Sequence, residues 1–259
     1  MKKFILIIIL IIITPLFIHA YRKAYVPILM YHHIRVPQPG DDRIFKDLSC
    51  PPEYFRQHLS CLASANYHTI TFYDLNNFLN NKAPLPKNPI ILTFDDGYEN
   101  NWQAFLELKK RGMKGVFFIV YNYINGKNHL TAANIRTMAD NNMEIGSHTL
   151  NHDDLAAIKP ALAAKSIAES KVKLESVLNR STVPAQDTQP TRDNKTIISF
   201  CYPYGNYNDA VLETVKKHYL FARTTAGGVT SVTGNNYLLK TVRIHNFTHG
   251  KSLMKMLGH

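Results

Sequence analysis

Eight short runs rich in Val, Ile and Phe recur along this chain, and amphipathic stretches fill most of the spaces between them. The runs are Val26–Tyr31, His68–Thr71, Ile90–Phe94, Gly115–Val120, Met143–Ser147, Ile197–Cys201, Tyr219–Arg223 and Leu238–Ile244. Helical periodicity marks Pro52–Ala65, Tyr73–Leu79, Asn101–Arg111, Ala132–Asn141, Ala161–Leu178 and Asp209–Lys217. Strand alternating with helix implies βαβ units and a parallel sheet. The runs are continuously apolar, as strands covered on both faces are. This pattern predicts an α/β fold: a distorted (β/α) barrel of about seven or eight parallel strands, in one domain over residues 21–259. A length of 259 residues suits one such barrel, and 45% hydrophobic content excludes intrinsic disorder. Three cysteines exclude a small disulfide-stapled scaffold.

Residues 1–20 stand apart. Lys2 and Lys3 precede an uncharged apolar stretch that ends at Ala20. A charged start, an apolar segment and a small final residue are the marks of a secretory signal peptide. An uncleaved membrane anchor over residues 4–20 is the other reading, which would associate the protein with a membrane. Either predicts work outside the cytoplasm: periplasm, cell surface or secreted. Disulfides are permitted there. Cys50 and Cys61 flank a predicted helix and are left open as a pair or as free thiols. Asn179–Lys195 is polar and reads as a surface loop. The net charge of +11 falls to +9 without Lys2 and Lys3. Its cations are scattered rather than in one block, so no nucleic-acid partner is expected.

Parallel barrels carry their chemistry at the C-terminal ends of the strands. Four predicted strand ends run into polar residues: Tyr31-His32-His33, Thr93-Phe94-Asp95-Asp96-Gly97, Ser147-His148-Thr149-Leu150-Asn151-His152 and Cys201-Tyr202-Pro203-Tyr204-Gly205. Asp96-Gly97 alone reads as a turn. Yet adjacent carboxylates at one strand end repel each other, and a bound cation relieves this. His148 and His152, four apart, share one side of a helical turn and suit one metal ion. Two imidazoles and one carboxylate make three protein ligands, with a position left for water. One divalent metal is expected, zinc first, with cobalt, nickel or manganese as substitutes.

Together these segments resemble the polysaccharide deacetylases of carbohydrate esterase family 4. Thr93–Gly97 is similar to that family's first motif, Ser147–His152 to its second and Phe200–Gly205 to its third. The resemblance spans roughly residues 26–244. It implies that Asp96, His148 and His152 hold the metal and that Asp95 is the general base. Tyr202, Pro203 and Tyr204 would line the substrate, and a backbone N–H near Tyr204 would stabilise the oxyanion. Pro27–Ile34 resembles the start of the subgroup acting on poly-β-1,6-N-acetylglucosamine in biofilm matrices. There the barrel is permuted and His32 takes the general-acid place, with His245 as a rival. The implied activity is metal-dependent N-deacetylation of N-acetylglucosamine units in an extracellular polysaccharide. Peptidoglycan, favoured by the charge, or chitooligosaccharides are the alternative substrates, and a catalytically weak carbohydrate-binding barrel is the non-enzymatic one. Two departures stand out. Ser199-Phe200 occupies the place of a third-motif arginine that orients the base, leaving Arg243 as a candidate substitute. The single tryptophan, Trp102, lies on a predicted helix rather than in a fourth motif.

Overall fold

The computed structural model describes residues 25–179, 196–231 and 234–259. The segment read as a signal or anchor, residues 1–20, lies outside the described residues, as do residues 180–195 of the polar stretch. Asn179 itself ends a helix.

Seven parallel strands close into a barrel. They are β1 (Ile28–Tyr31), β2 (Pro89–Phe94), β3 (Val116–Ile119), β4 (Glu144–Ser147), β5 (Ser199–Cys201), β6 (Phe221–Gly227) and β7 (Leu239–Arg243). The order around the barrel is β1-β7-β6-β5-β4-β3-β2, and β1 pairs again with β2 to close it. The eighth run shortens to His68–Thr69 and hangs on the outer side of β2, beyond the closure. Two short pairs decorate the barrel: Tyr25–Val26 with Thr230–Ser231, and His33–Ile34 with Ser49–Cys50.

The helices are α1 (Arg43–Asp47), α2 (Pro52–Ser64), α3 (Phe72–Leu79), α4 (Asn101–Lys110), α5 (Ala132–Asp140), α6 (Pro160–Asn179), α7 (Asp209–His218) and α8 (Gly250–Met256). Six match the predicted periodic stretches to within one residue at either end. The starts carry local signals. Thr71 caps α3 in a box with Asp74, Thr131 caps α5 with Asn134, and Asn208 caps α7. Helices α1 and α8 are short and lack a clear apolar period, which hid them in the sequence.

Alternation along each strand sorts side chains between two cores. Ile28, Ile91, Val116, Phe118, Phe221 and Leu239 cluster inside the barrel, with Phe72 of α3 stacked on Phe221 at 5.4 Å as a floor. Leu29, Leu92, Phe94, Phe117, Ile145 and Phe200 face the helices. The interior is tight at Gly146, where a Cβ would lie 2.8 Å from Ser199 Oγ and collide with the Phe118 ring. All three cysteines are free, so the open question of a Cys50–Cys61 bridge is answered against a bond.

Candidate active site

The barrel geometry sends four strand ends to one mouth. Asp95 follows β2, and its N–H donates to the Tyr31 carbonyl at 3.0 Å. Asp96 and Gly97 then take left-handed backbone, φ 69° and 70°. A Cβ on Gly97 would sit 3.1 Å from Ile119 Cδ1, so the turn wants glycine there. His148 follows β4, its N–H bound to the Ile119 carbonyl at 3.0 Å.

His148 and His152 do meet, but by a route other than the helical turn expected from their spacing. Residues 148–152 form an irregular turn, with Thr149 at φ 72° and His152 at φ 61°. The Thr149 hydroxyl accepts the His152 N–H at 2.9 Å and fixes the turn. Four-residue spacing therefore brought the rings together through turn chemistry, not helix geometry.

Asp96 Oδ1 lies 3.2 Å from His148 Nε2 and 3.3 Å from His152 Nε2. The ligand atoms of these three residues fall within 4.8 Å of one another. Asp96 Oδ1 is buried with no hydrogen bond to satisfy it. His148 Nδ1 donates to the Cys201 carbonyl at 2.7 Å, which leaves Nε2 facing the carboxylate. Burial would lower its pKa, but Cys201 and Asp96 raise it well above the ordinary value, so a metal ion at Nε2 would displace a proton. An orphaned carboxylate oxygen between two imidazoles fits a divalent ion, and this donor set suits zinc. Burial alone would raise the Asp96 pKa. Contact with His148, and the charges of His32, His148 and His152, outweigh it and hold the carboxyl well below the usual range. Burial lowers the His152 pKa to about 4, which keeps its imidazole neutral and able to ligate. Asp95, His148 and Cys201 form a second compact group. That one is fully buried and already holds a guanidinium, so a second cation would be repelled.

The guanidinium is Arg223 of β6, wholly buried and ion-paired with Asp95 Oδ1. It also lies over the Phe118 ring at 5.0 Å and reaches Met30 Sδ at 3.3 Å. A guanidinium thus reaches Asp95 from the strand next to the one where the third-motif arginine was expected. Arg243 does not stand in for it: its ion partner is Asp47, at 3.4 Å. The signal for Arg223 was present, a charged residue closing the apolar run Tyr219–Arg223, although the strand itself runs on to Gly227.

His32 follows β1, its carbonyl held by Asn101 Nδ2 at 2.6 Å. Its Nε2 stands 3.6 Å from Asp95 Oδ2, on the opposite oxygen from Arg223. Burial lowers its pKa; Asp95 and Asp96 oppose that, and Arg223 and Arg243 add to it. His245, the rival acid, is turned to Asp47 at 2.8 Å instead.

Of the residues expected to line a sugar, only Tyr204 is exposed, at 61%. It has φ 60° and packs edge-on to His152 at 4.7 Å. The Tyr204 N–H has no acceptor among the described residues. The next residue must be glycine: Gly205 has φ 78°, and a Cβ would lie 2.8 Å from the Thr225 backbone nitrogen. Tyr202 and Pro203 are buried, because the strand end turns inward and Tyr202 packs on Phe200. Tyr31 is buried too, bonded to His58 Nδ1 at 3.0 Å, while half-buried Tyr98 hydrogen-bonds Asp96. Trp102 lies on α4, as its sequence context predicts, packed on Phe105.

The profile of the polysaccharide deacetylase family matches residues 82–221, more than half of the chain. The chain belongs to the polysaccharide deacetylase family. A Bacillus subtilis protein named as a polysaccharide deacetylase, YxkH, is 32% identical over 233 residues, covering 89% of this chain and 75% of that one. Among solved structures, a polysaccharide deacetylase from Bacillus cereus is 28% identical with TM-score 0.75, over 90% of this chain and 69% of that one. The Streptococcus pyogenes deacetylase PplD, solved with acetate, is 25% identical with TM-score 0.78, over 91% of this chain and 99% of that one. The polysaccharide deacetylase assignment makes this chain a hydrolase of carbon–nitrogen bonds other than peptide bonds. The family match covers Asp95, Asp96, His148, His152 and Tyr204, and ends at Phe221, two residues before Arg223.

Proposed function

We propose that this chain is a metal-dependent N-deacetylase that removes acetyl groups from N-acetylglucosamine units of an extracellular polysaccharide. The observation that carries the reading is Asp95, held by Arg223 on one oxygen and faced by His32 on the other, beside the Asp96–His148–His152 cluster. Asp96, His148 and His152 would hold the ion, zinc first. When bound it would polarise the acetamide carbonyl and lower the pKa of a water.

The remaining work falls to the chain's own groups. Asp95 takes the proton from the attacking water, and Arg223 fixes the carboxylate in the orientation this needs. The Tyr204 N–H donates to the oxygen where negative charge develops, an arrangement that costs no reorganisation during the step. His32 gives a proton to the departing amine. Burial disfavours the imidazolium this needs, and the Asp95 and Asp96 carboxylates beside it favour it. Tyr204 offers an exposed ring face to the sugar. Acetate and a free glucosamine unit leave. Two polymers fit this chemistry. Poly-β-1,6-N-acetylglucosamine is favoured by the Pro27–Ile34 segment that brings His32 to the mouth, and peptidoglycan by the charge of +9 that remains without Lys2 and Lys3. Residues 1–20 would place the enzyme outside the cytoplasm; the N-terminal sequence of protein recovered from cells distinguishes cleavage from anchoring.

The test is acetate release with metal analysis of the same samples. Asp95→Asn retains metal and loses about 10²–10⁴ in rate. His148→Ala loses both metal and activity. Parental turnover by Asp95→Asn removes the base assignment.

A further inference from the structure

Beside the mouth lies a groove of about 760 Å³, lined by Arg43, Lys46, Asp47, Arg243, His245 and Phe247 among others. Its size falls within the ~300–1,000 Å³ of small-ligand clefts. Two loops build it: the one after β1, which carries α1, and the one after β7. Strands β1 and β7 are neighbours, Met30 opposite Arg243, so the groove opens at the same end of the barrel as His32.

The charges there do not cancel. Asp47 is the one carboxylate in the lining, and it already meets Arg243 at 3.4 Å and His245 at 2.8 Å. Arg43 is exposed and has no ion partner among the described residues. The Lys46 ammonium donates to a neutral carbonyl, that of Pro39, at 3.3 Å. Two further acids stand on this loop outside the lining: Asp41 pairs with Arg35 and also feels the Lys46 charge, and Asp42 caps the Phe45 N–H. Phe247 is 67% exposed and its ring lies parallel to His245, centroids 5.2 Å apart at 5°. In the lining itself Arg43, Lys46 and Arg243 outnumber the single carboxylate of Asp47, and a flat exposed aromatic beside that excess of cations recognises a sugar face that bears an anion.

We propose that this groove is a subsite for a carboxylate-bearing sugar, so that the substrate is an anionic glycan. This deepens the deacetylase reading and rests on it. It favours peptidoglycan-type strands over a polymer of glucosamine, which gains positive charge as acetate leaves. Concavity beside the catalytic mouth favours a glycan over a membrane surface.

The test uses the full chain, peptide-free strands of alternating N-acetylglucosamine and N-acetylmuramic acid, and the same strands with carboxylates converted to methylamides. Dissociation constants are measured by titration. Native strands are expected to bind about fivefold tighter than amidated ones, from two exposed charge contacts. The ratio should fall toward one in about 0.5 M salt, and likewise in the Arg43→Ala/Lys46→Ala variant. Equal binding of both strands by the parent protein overturns the proposal, with no variant needed. So does a variant that keeps the ratio but loses binding to anionic phospholipid vesicles. A charge-dependent ratio without acetate release from either strand supports the subsite and overturns the deacetylase reading instead.

Discussion

The two ends of the barrel each bury a carboxyl group and treat it in opposite ways. At the mouth, Asp96 is surrounded by three histidines, and its pKa is pulled down against the cost of burial. At the floor, Glu144 at the start of β4 is buried as deeply, but its hydrogen-bond partners are neutral and the nearby charge of Asp74 is negative. The Ser199 hydroxyl donates at 2.6 Å and the Tyr73 N–H, in the first turn of α3, at 3.2 Å. Burial dominates there and raises its pKa to about 7. Depth does not decide the ionisation of a carboxyl; the charge of what faces it does. The backbone shows a related difference. Left-handed residues occur at both ends, but just before the strands they are asparagines, Asn66, Asn88 and Asn142, which take that conformation readily. At the mouth they include the β-branched Thr149 and the aromatic Tyr204, which do not, and strain of that kind is often found where chemistry is done.

The comparison breaks most visibly at Arg223. Removing its charge leaves Asp95 buried without a cation, the same predicament as Glu144. Arg223→Met is expected to lose about 3–5 kcal/mol in stability and about 10²–10⁴ in acetate release. Arg223→Met combined with Asp95→Leu should recover much of the stability and none of the activity. Chemical denaturation and acetate assays on the three proteins decide it. A single variant as stable and active as the parent would detach Arg223 from the base.

Glu144 tests the other end. Its folded pKa is raised from 4.5 to about 7. The folded state therefore binds the proton more tightly than the unfolded chain. The stability this gives is full below about 4.5 and is lost as pH rises through about 7. The shift corresponds to about 3 kcal/mol, or on the order of 6–12 °C in Tm. Glu144→Gln keeps the shape without the titration. Tm of the parent relative to Glu144→Gln should therefore fall between pH 5 and pH 8, in thermal melts run at matched ionic strength. A constant difference would show that the floor carboxyl is already solvated.

The asymmetry of the two ends explains what could be read in the sequence. Strands and most helices followed from apolar periodicity, because burial on two faces leaves a one-dimensional trace. The pairing of Asp95-Asp96 with His148 and His152 was legible because each sits within a few residues of a strand end. Arg223 was not assigned, since a motif fixes residues near one another in the chain, while a barrel lets the adjacent strand supply the same charge. Arg243 shows the converse: placed at the proper end of β7, it turns to Asp47, a residue 196 positions away. Glu144 gave no signal at all. A lone acid opening a strand reads as surface until Ser199 and α3 are seen to cover it.

The smallest effect is the sharpest probe, because it links the floor's helix cap to the floor's carboxyl. Thr71 accepts the Asp74 N–H at 3.3 Å, and Asp74 accepts the Thr71 N–H at 2.9 Å in return. Thr71→Ala should cost about 1 kcal/mol, the ordinary price of an N-cap. The cap also holds the turn from which the Tyr73 N–H reaches Glu144. Fraying that turn withdraws a donor from the carboxylate but takes little from the neutral acid. The loss should therefore be larger at pH 8, where Glu144 is ionised, than at pH 5. In the Glu144→Gln background the extra cost at pH 8 should vanish, giving a coupling of about 0.5 kcal/mol or more in a double-mutant cycle. Metal content and acetate release should stay at parental values throughout, since the mouth draws its order from Arg223 and the turn at Thr149. Additive losses at both pH values would separate the cap from the carboxyl, and a fall in activity would join the two ends of the barrel that this comparison keeps apart.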